Sequence, residues 1–118
     1  MLIEKLNIII IIISGISFIF YGLSLFFSKK MRNEFIRFKL KEYTFLVGTL
    51  ELIGGMGLLF GIYNSNLLIS SSFGLALLML LGVFTRIKIK DKIAQTLPAI
   101  LFLFINSYIF INSLKTIL

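Results

Sequence analysis

The chain has 118 residues, 58% of them hydrophobic, with 12 lysines and arginines against 5 carboxylates, and it contains no histidine, cysteine or tryptophan. One compact domain is the most that this length allows, and a mean hydropathy of +1.05 is too high for a soluble domain, because so short a chain cannot hide that much apolar surface from water. Without cysteine there is no disulfide, thiolate nucleophile or thiolate-held iron–sulfur cluster; without histidine there is no imidazole base, haem ligand or ordinary zinc site. Five carboxylates argue against a dense metal cage, so no metal is expected.

Four apolar runs follow one another. The first, about 7–27, opens with the contiguous isoleucines Ile8 to Ile13 and carries Ser14, Ser17, Tyr21, Ser24 and Ser28 as a polar stripe on one helical face. A polar stretch, 28–43, comes next. Within it Met31, Phe35 and Phe38 recur at helical spacing among charges, which predicts a short helix lying in the membrane interface. The second run, about 44–63, is joined to the third, about 67–84, by the minimal turn Asn64-Ser65-Asn66, as in an antiparallel hairpin. A basic loop, 85–94, leads to the fourth run, about 95–114, with the single proline, Pro98, near its start, where a missing N–H costs least. A helix rising ~1.5 Å per residue needs ~20 residues to cross a ~30 Å hydrocarbon core, and each run has about that length. Backbone polar groups in lipid must be satisfied within the segment, and no strand-like alternation is present. The expected fold is all-α and integral to the membrane: one domain over 1–118, a four-transmembrane-helix bundle.

The cations set the orientation. Lys29, Lys30, Arg32, Arg37, Lys39 and Lys41 lie after the first run, and Arg86, Lys88, Lys90 and Lys92 after the third, leaving Lys5 and Lys115 at the other end. The positive-inside rule puts both basic loops in the cytoplasm and both termini outside. The same asymmetry argues against a cleaved signal peptide, whose positive charge precedes its apolar stretch. The net charge of +7 is therefore a topology determinant that also meets anionic headgroups. A nucleic-acid partner is not expected, since the basic loops lack an aromatic-interleaved binding pattern.

The second run is the least ordinary. Around a helix, Gly48, Glu51, Gly54, Gly55, Gly57 and Gly61 fall on one half, and Phe45, Leu46, Leu52, Ile53, Met56, Leu59 and Phe60 on the other. Small residues let a neighbouring backbone approach, so the glycine half is expected to pack and the bulky half to face lipid. Glu51 is the one carboxylate inside any run. A charge there costs roughly 2.5–3.5 kcal/mol or more, so Glu51 should face the bundle and be paired or protonated. Candidate partners are Tyr21 at a similar depth, Gln95 and Asn106 on the last helix, and Arg86 reaching back as a counter-ion. Two readings stand: a glutamate that ties helices together, and a site for protons, quinone or another small ligand.

Phe26-Phe27-Ser28-Lys29-Lys30-Met31, then Glu34-Phe35-Ile36-Arg37-Phe38, then Val47-Gly48-Thr49-Leu50-Glu51-Leu52-Ile53-Gly54-Gly55 to Gly61 resemble the DoxX-like family of small bacterial four-helix membrane proteins. Gly74 to Leu80, Arg86-x-Lys88, Asp91 and Leu97-Pro98-Ala99 continue the resemblance across nearly the whole chain. It implies a multi-pass protein of the bacterial cytoplasmic membrane. It also implies association with membrane redox systems, among them a thiosulfate:quinone oxidoreductase subunit, so a quinone is the one cofactor to consider and none is intrinsic. Glu51 matches the family glutamate, with no catalytic role attached. The expected function is a small accessory subunit with a membrane-protein partner or a second copy of itself, and no intrinsic catalysis. The alternative is a proton-coupled small-molecule transporter using Glu51.

Overall fold

A computed structural model describes residues 2–117. They form helices α1 (Leu2–Phe27), α2 (Lys29–Arg37), α3 (Thr44–Phe60), α4 (Ser65–Lys88) and α5 (Ile93–Ile117), with a 3-10 turn at Lys41–Tyr43 ahead of α3. Four of these segments, α1, α3 with its preceding turn, α4 and α5, are long and apolar enough to cross a membrane. The chain is thus a four-helix membrane bundle, and α2 is the expected short helix between the first two spans.

The helix ends follow local chemistry. Ser28 caps α2, its hydroxyl accepting from the Met31 N–H at 3.4 Å. Asn64 caps α4, its Oδ1 accepting from the N–H groups of Asn66 at 3.0 Å and Leu67 at 3.3 Å. The third span therefore begins at Ser65, and it runs past Phe84 to Lys88. Both α2 and α4 close with a lysine in the left-handed region, Lys39 at φ 62° and Lys90 at φ 58°. Behind them Leu40 donates to the Phe35 carbonyl and Asp91 to the Arg86 carbonyl, the usual way of satisfying a last helical turn. Because α5 begins at Ile93, Pro98 stands beyond its first turn, deeper than expected. Its ring removes the N–H that would otherwise meet the Ala94 carbonyl.

Around the bundle α1 packs on α3, α3 on α4 and α4 on α5, while α5 meets α1 less closely. Glycines make the first contact. A Cβ on Gly55 would lie 2.7 Å from the Gly15 carbonyl oxygen, and one on Gly22 would lie 2.8 Å from that of Gly48. The two backbones therefore touch directly, as small residues permit in lipid. The glycine half of α3 serves two neighbours: Gly48 and Gly55 face α1, and Gly54, Gly57 and Gly61 face Leu75, Ser71 and Leu68 of α4. Phe45, Leu46, Ile53, Met56 and Phe60 are exposed, ready for lipid. Leu52 and Leu59 depart from the expected lipid-facing set. Gly22 and Gly15 leave hollows on α1, and these two leucines fill them. The core between the layers is Ile11, Phe18, Leu58, Leu68, Leu75 and Ile109.

Candidate functional site

The sequence-predicted polar residues occupy three separate places. At the end that carries α2 and the α4–α5 connection, Asp91 is the centre. Its Oδ2 accepts from Arg86 Nη1 at 2.8 Å and from Arg37 Nη2 at 3.2 Å, and Arg37 also bonds Glu34 at 2.5 Å. Gln95, with its amide turned to donate, reaches the same Oδ2 at 3.2 Å. The Phe38 ring lies near both guanidiniums, whose Cζ atoms are 5.0 Å (Arg37) and 4.9 Å (Arg86) from its centroid. The Asp91 side chain is only 5% exposed. Arg37, then Arg86, beside it hold its carboxyl below the ordinary aspartate range. The cluster pins α2 to the α4–α5 connection. It also engages Arg86 and Gln95, so neither is bonded to Glu51. Asp91, one carboxylate within a run of cations, was the sequence signal for it.

Midway through the bundle, Asn106 is fully buried. Its Oδ1 accepts from the Ser14 hydroxyl at 3.2 Å, and its amide donates to the Phe102 carbonyl at 2.8 Å. This pair ties α1 to α5. Only Ser14 of the serine–tyrosine stripe enters it.

Glu51 is 7% exposed and, among the described residues, its Oε2 has no hydrogen-bond partner. It projects between the α1-facing pair Gly48 and Gly55 and the α4-facing Gly54, towards the middle of the bundle. Gly22 packs against Gly48 and Leu52, so its chain neighbour Tyr21 lies at about the level of Glu51. No bond joins the two. α1 presents its glycines to α3, which turns the Tyr21 face towards α5 instead. There the tyrosine ring meets Phe102 edge-on at 6.0 Å, and Phe102 in turn meets Phe18 at 5.4 Å.

Where α5 diverges from α1, a cavity of about 580 Å³ opens sideways, lined chiefly by Tyr21, Leu97, Pro98, Leu101, Phe102 and Phe104. Its walls are exposed apolar side chains within the spans, so it opens towards lipid. Tyr21 supplies a hydroxyl, and Phe102 separates the groove from the packing around Phe18. Residue patterning gave no sign of this groove, because it arises from the separation of two helices far apart in the chain. Among the described residues, no three carboxylates gather as a metal site would need.

Four apolar spans, with both polar connections that carry the cations at one end, define a small multi-pass membrane protein. The chain belongs to the DoxX-like family, whose profile matches residues 10–107, from within α1 to the second half of α5. Tyr21, Glu51, Arg86, Gln95 and Asn106 all lie inside the matched region. No curated protein and no solved structure matches the chain.

Proposed function

We propose that the protein is an accessory subunit of a quinone-linked redox system in the bacterial cytoplasmic membrane. It would hold a quinone-class molecule beside a membrane-protein partner, or a second copy of itself, without catalysing electron transfer. The orientation follows the positive-inside rule, with the α2 end cytoplasmic and both termini outside. One observation carries the reading: the α1–α5 groove lies on the lateral, apolar side of the spans, where quinones dissolve in a bilayer. The residues fit such a head group. Tyr21 offers a hydroxyl to a carbonyl, and Phe102, Phe104 and Pro98 offer flat walls. A quinone supplies the redox chemistry that these side chains lack; the chain's own residues seat it and exclude water.

Solvent extraction of the protein, purified in mild detergent, tests this. The expected result is about one quinone per chain, and less in Tyr21→Phe. No quinone above a detergent blank, or retention indifferent to Tyr21, contradicts the reading.

A further inference from the structure

The buried polar side chains other than Glu51 spend their hydrogen bonds inside the bundle. Ser14 and Asn106 bond each other, Ser72 and Ser113 each donate to a carbonyl one turn back on its own helix at 2.7 Å, and Thr96 donates to the Lys92 carbonyl just ahead of α5 at 3.1 Å. A glutamate serving to tie helices together would show the same closure, and Glu51 does not: its Oε2 is buried without a partner. Nor, among the described residues, does a cation pair with it. On α1 the titratable side chain at its level is Tyr21, and α3 itself carries no other ionisable group. The stretches packed around this level, Leu75 to Met79 on α4 and Pro98 to Asn106 on α5, contain none. Arg86, the nearest cation along α4, is committed to Asp91. Tyr108 is bonded to Asn7 at the opposite end. Among the described residues, then, no counter-charge for Glu51 is at hand, and one would come from elsewhere.

The groove between α1 and α5 supplies a route and a chemistry. Phe102 is at once a wall of the lateral groove and a ring partner of Phe18 and Tyr21, and Tyr21, which also lines the groove, lies at about the level of Glu51. Displacing the Phe102 ring edge would open the groove towards the packing around Phe18. The groove is apolar and lies open to lipid, which selects a lipid-soluble molecule. Its aromatic faces, Tyr21, Phe102 and Phe104, favour positive charge, and the waiting group is a carboxyl. We propose that Glu51 is an internal exchange site for a lipid-soluble organic monocation, which enters through the α1–α5 groove and displaces the carboxyl proton. In the exchange the O–H bond of Glu51 breaks, one proton leaves to water, and the carboxylate takes the cation as its counter-charge. No covalent bond forms to the ligand, and charge balances one for one. This activity goes beyond the subunit reading and does not depend on it.

The test titrates tetraphenylphosphonium into the purified full chain in uncharged detergent with little buffer, measuring proton release with a pH electrode and bound cation by equilibrium dialysis. About one proton should leave per cation bound, and affinity should rise about tenfold per pH unit while the free carboxyl is protonated. Glu51→Gln should abolish the release and weaken binding at least about tenfold, and Glu51→Asp should retain the release. Failure of the folded wild type to bind, binding without proton release, or release unchanged in Glu51→Gln would overturn the proposal. Where Glu51→Gln does not fold, the wild type decides: an affinity flat from about pH 6 to about pH 9 overturns it as well. Quinone retention is measured in the same samples, and its absence counts against the subunit reading alone.

Discussion

Replacing Gly55 by alanine puts a methyl group where the neighbouring helix already stands. The added Cβ would lie 2.7 Å from the Gly15 carbonyl oxygen, 2.9 Å from Ile19 Cγ1 and 3.0 Å from the Ile19 nitrogen. Two of these are backbone atoms, so no side-chain rotation relieves the contact, and α1 and α3 must move apart by roughly half an ångström or more. Overpacking of this kind costs about 1–3 kcal/mol, and the separation weakens dispersion contacts along the whole seam. Gly74 of α4 is the internal control: a Cβ there meets nothing within 4 Å. Gly74→Ala should be neutral, or stabilising by up to about 1 kcal/mol through helix propensity. The assay is reversible unfolding in mixed micelles as the fraction of dodecyl sulfate rises, followed by circular dichroism. A Gly55→Ala protein as stable as wild type, or equal losses in the two variants, would refute the claim that bare backbones make the α1–α3 contact.

Asn106→Leu should cost about 0.6–2 kcal/mol in the same assay, since it removes the Ser14 partner from a buried position in lipid; no loss would show that this bond does not hold α5 to α1. Asp91→Asn should free α2 from the α4–α5 connection, raising amide exchange across Lys29–Arg37 while leaving α3 unchanged. The pH dependence has a definite sign. The folded-state carboxyl of Asp91 titrates below its ordinary range, so its contribution is complete above the unfolded value of about 3.9 and is lost as pH falls through the lowered value. Protection of α2 should therefore hold from neutrality to about pH 4 and decline below it, whereas a decline beginning above about pH 6 would contradict the Asp91 assignment.

The fold was largely legible because lipid imposes long apolar runs, and their lengths and flanking cations survive in the sequence. The helix ends shifted by a few residues where caps such as Asn64 and Ser28 decide the boundary rather than hydropathy. Glu51 was legible as a buried carboxyl because a charge among glycines has few other places to go. Its surroundings were not. The stripe from Ser14 to Ser28 indicated one polar face, but which neighbour that face meets depends on the rotation of α1. Gly15 and Gly22 fix that rotation by offering hollows to Leu59 and Leu52. Seven residues apart, they were the available signal, and the serines were the more conspicuous one. Arg86, which lies inside α4 rather than just past it, and Gln95 are both satisfied locally by Asp91, and a partner four or five residues away in sequence outcompetes a reach towards Glu51. The groove depends on how far α5 stands from α1, a distance that no local pattern encodes.

The central claim is that the α1–α5 groove is where this protein holds a lipid-soluble molecule. Native mass spectrometry of the chain released from its own membrane measures that occupancy directly, with Leu101→Trp filling the groove and Ile53→Trp adding the same bulk to the exposed face of α3. The account predicts a discrete small-molecule adduct on the wild type and on Ile53→Trp, and its loss in Leu101→Trp. An adduct that survives Leu101→Trp, or a wild type released without one, would contradict it.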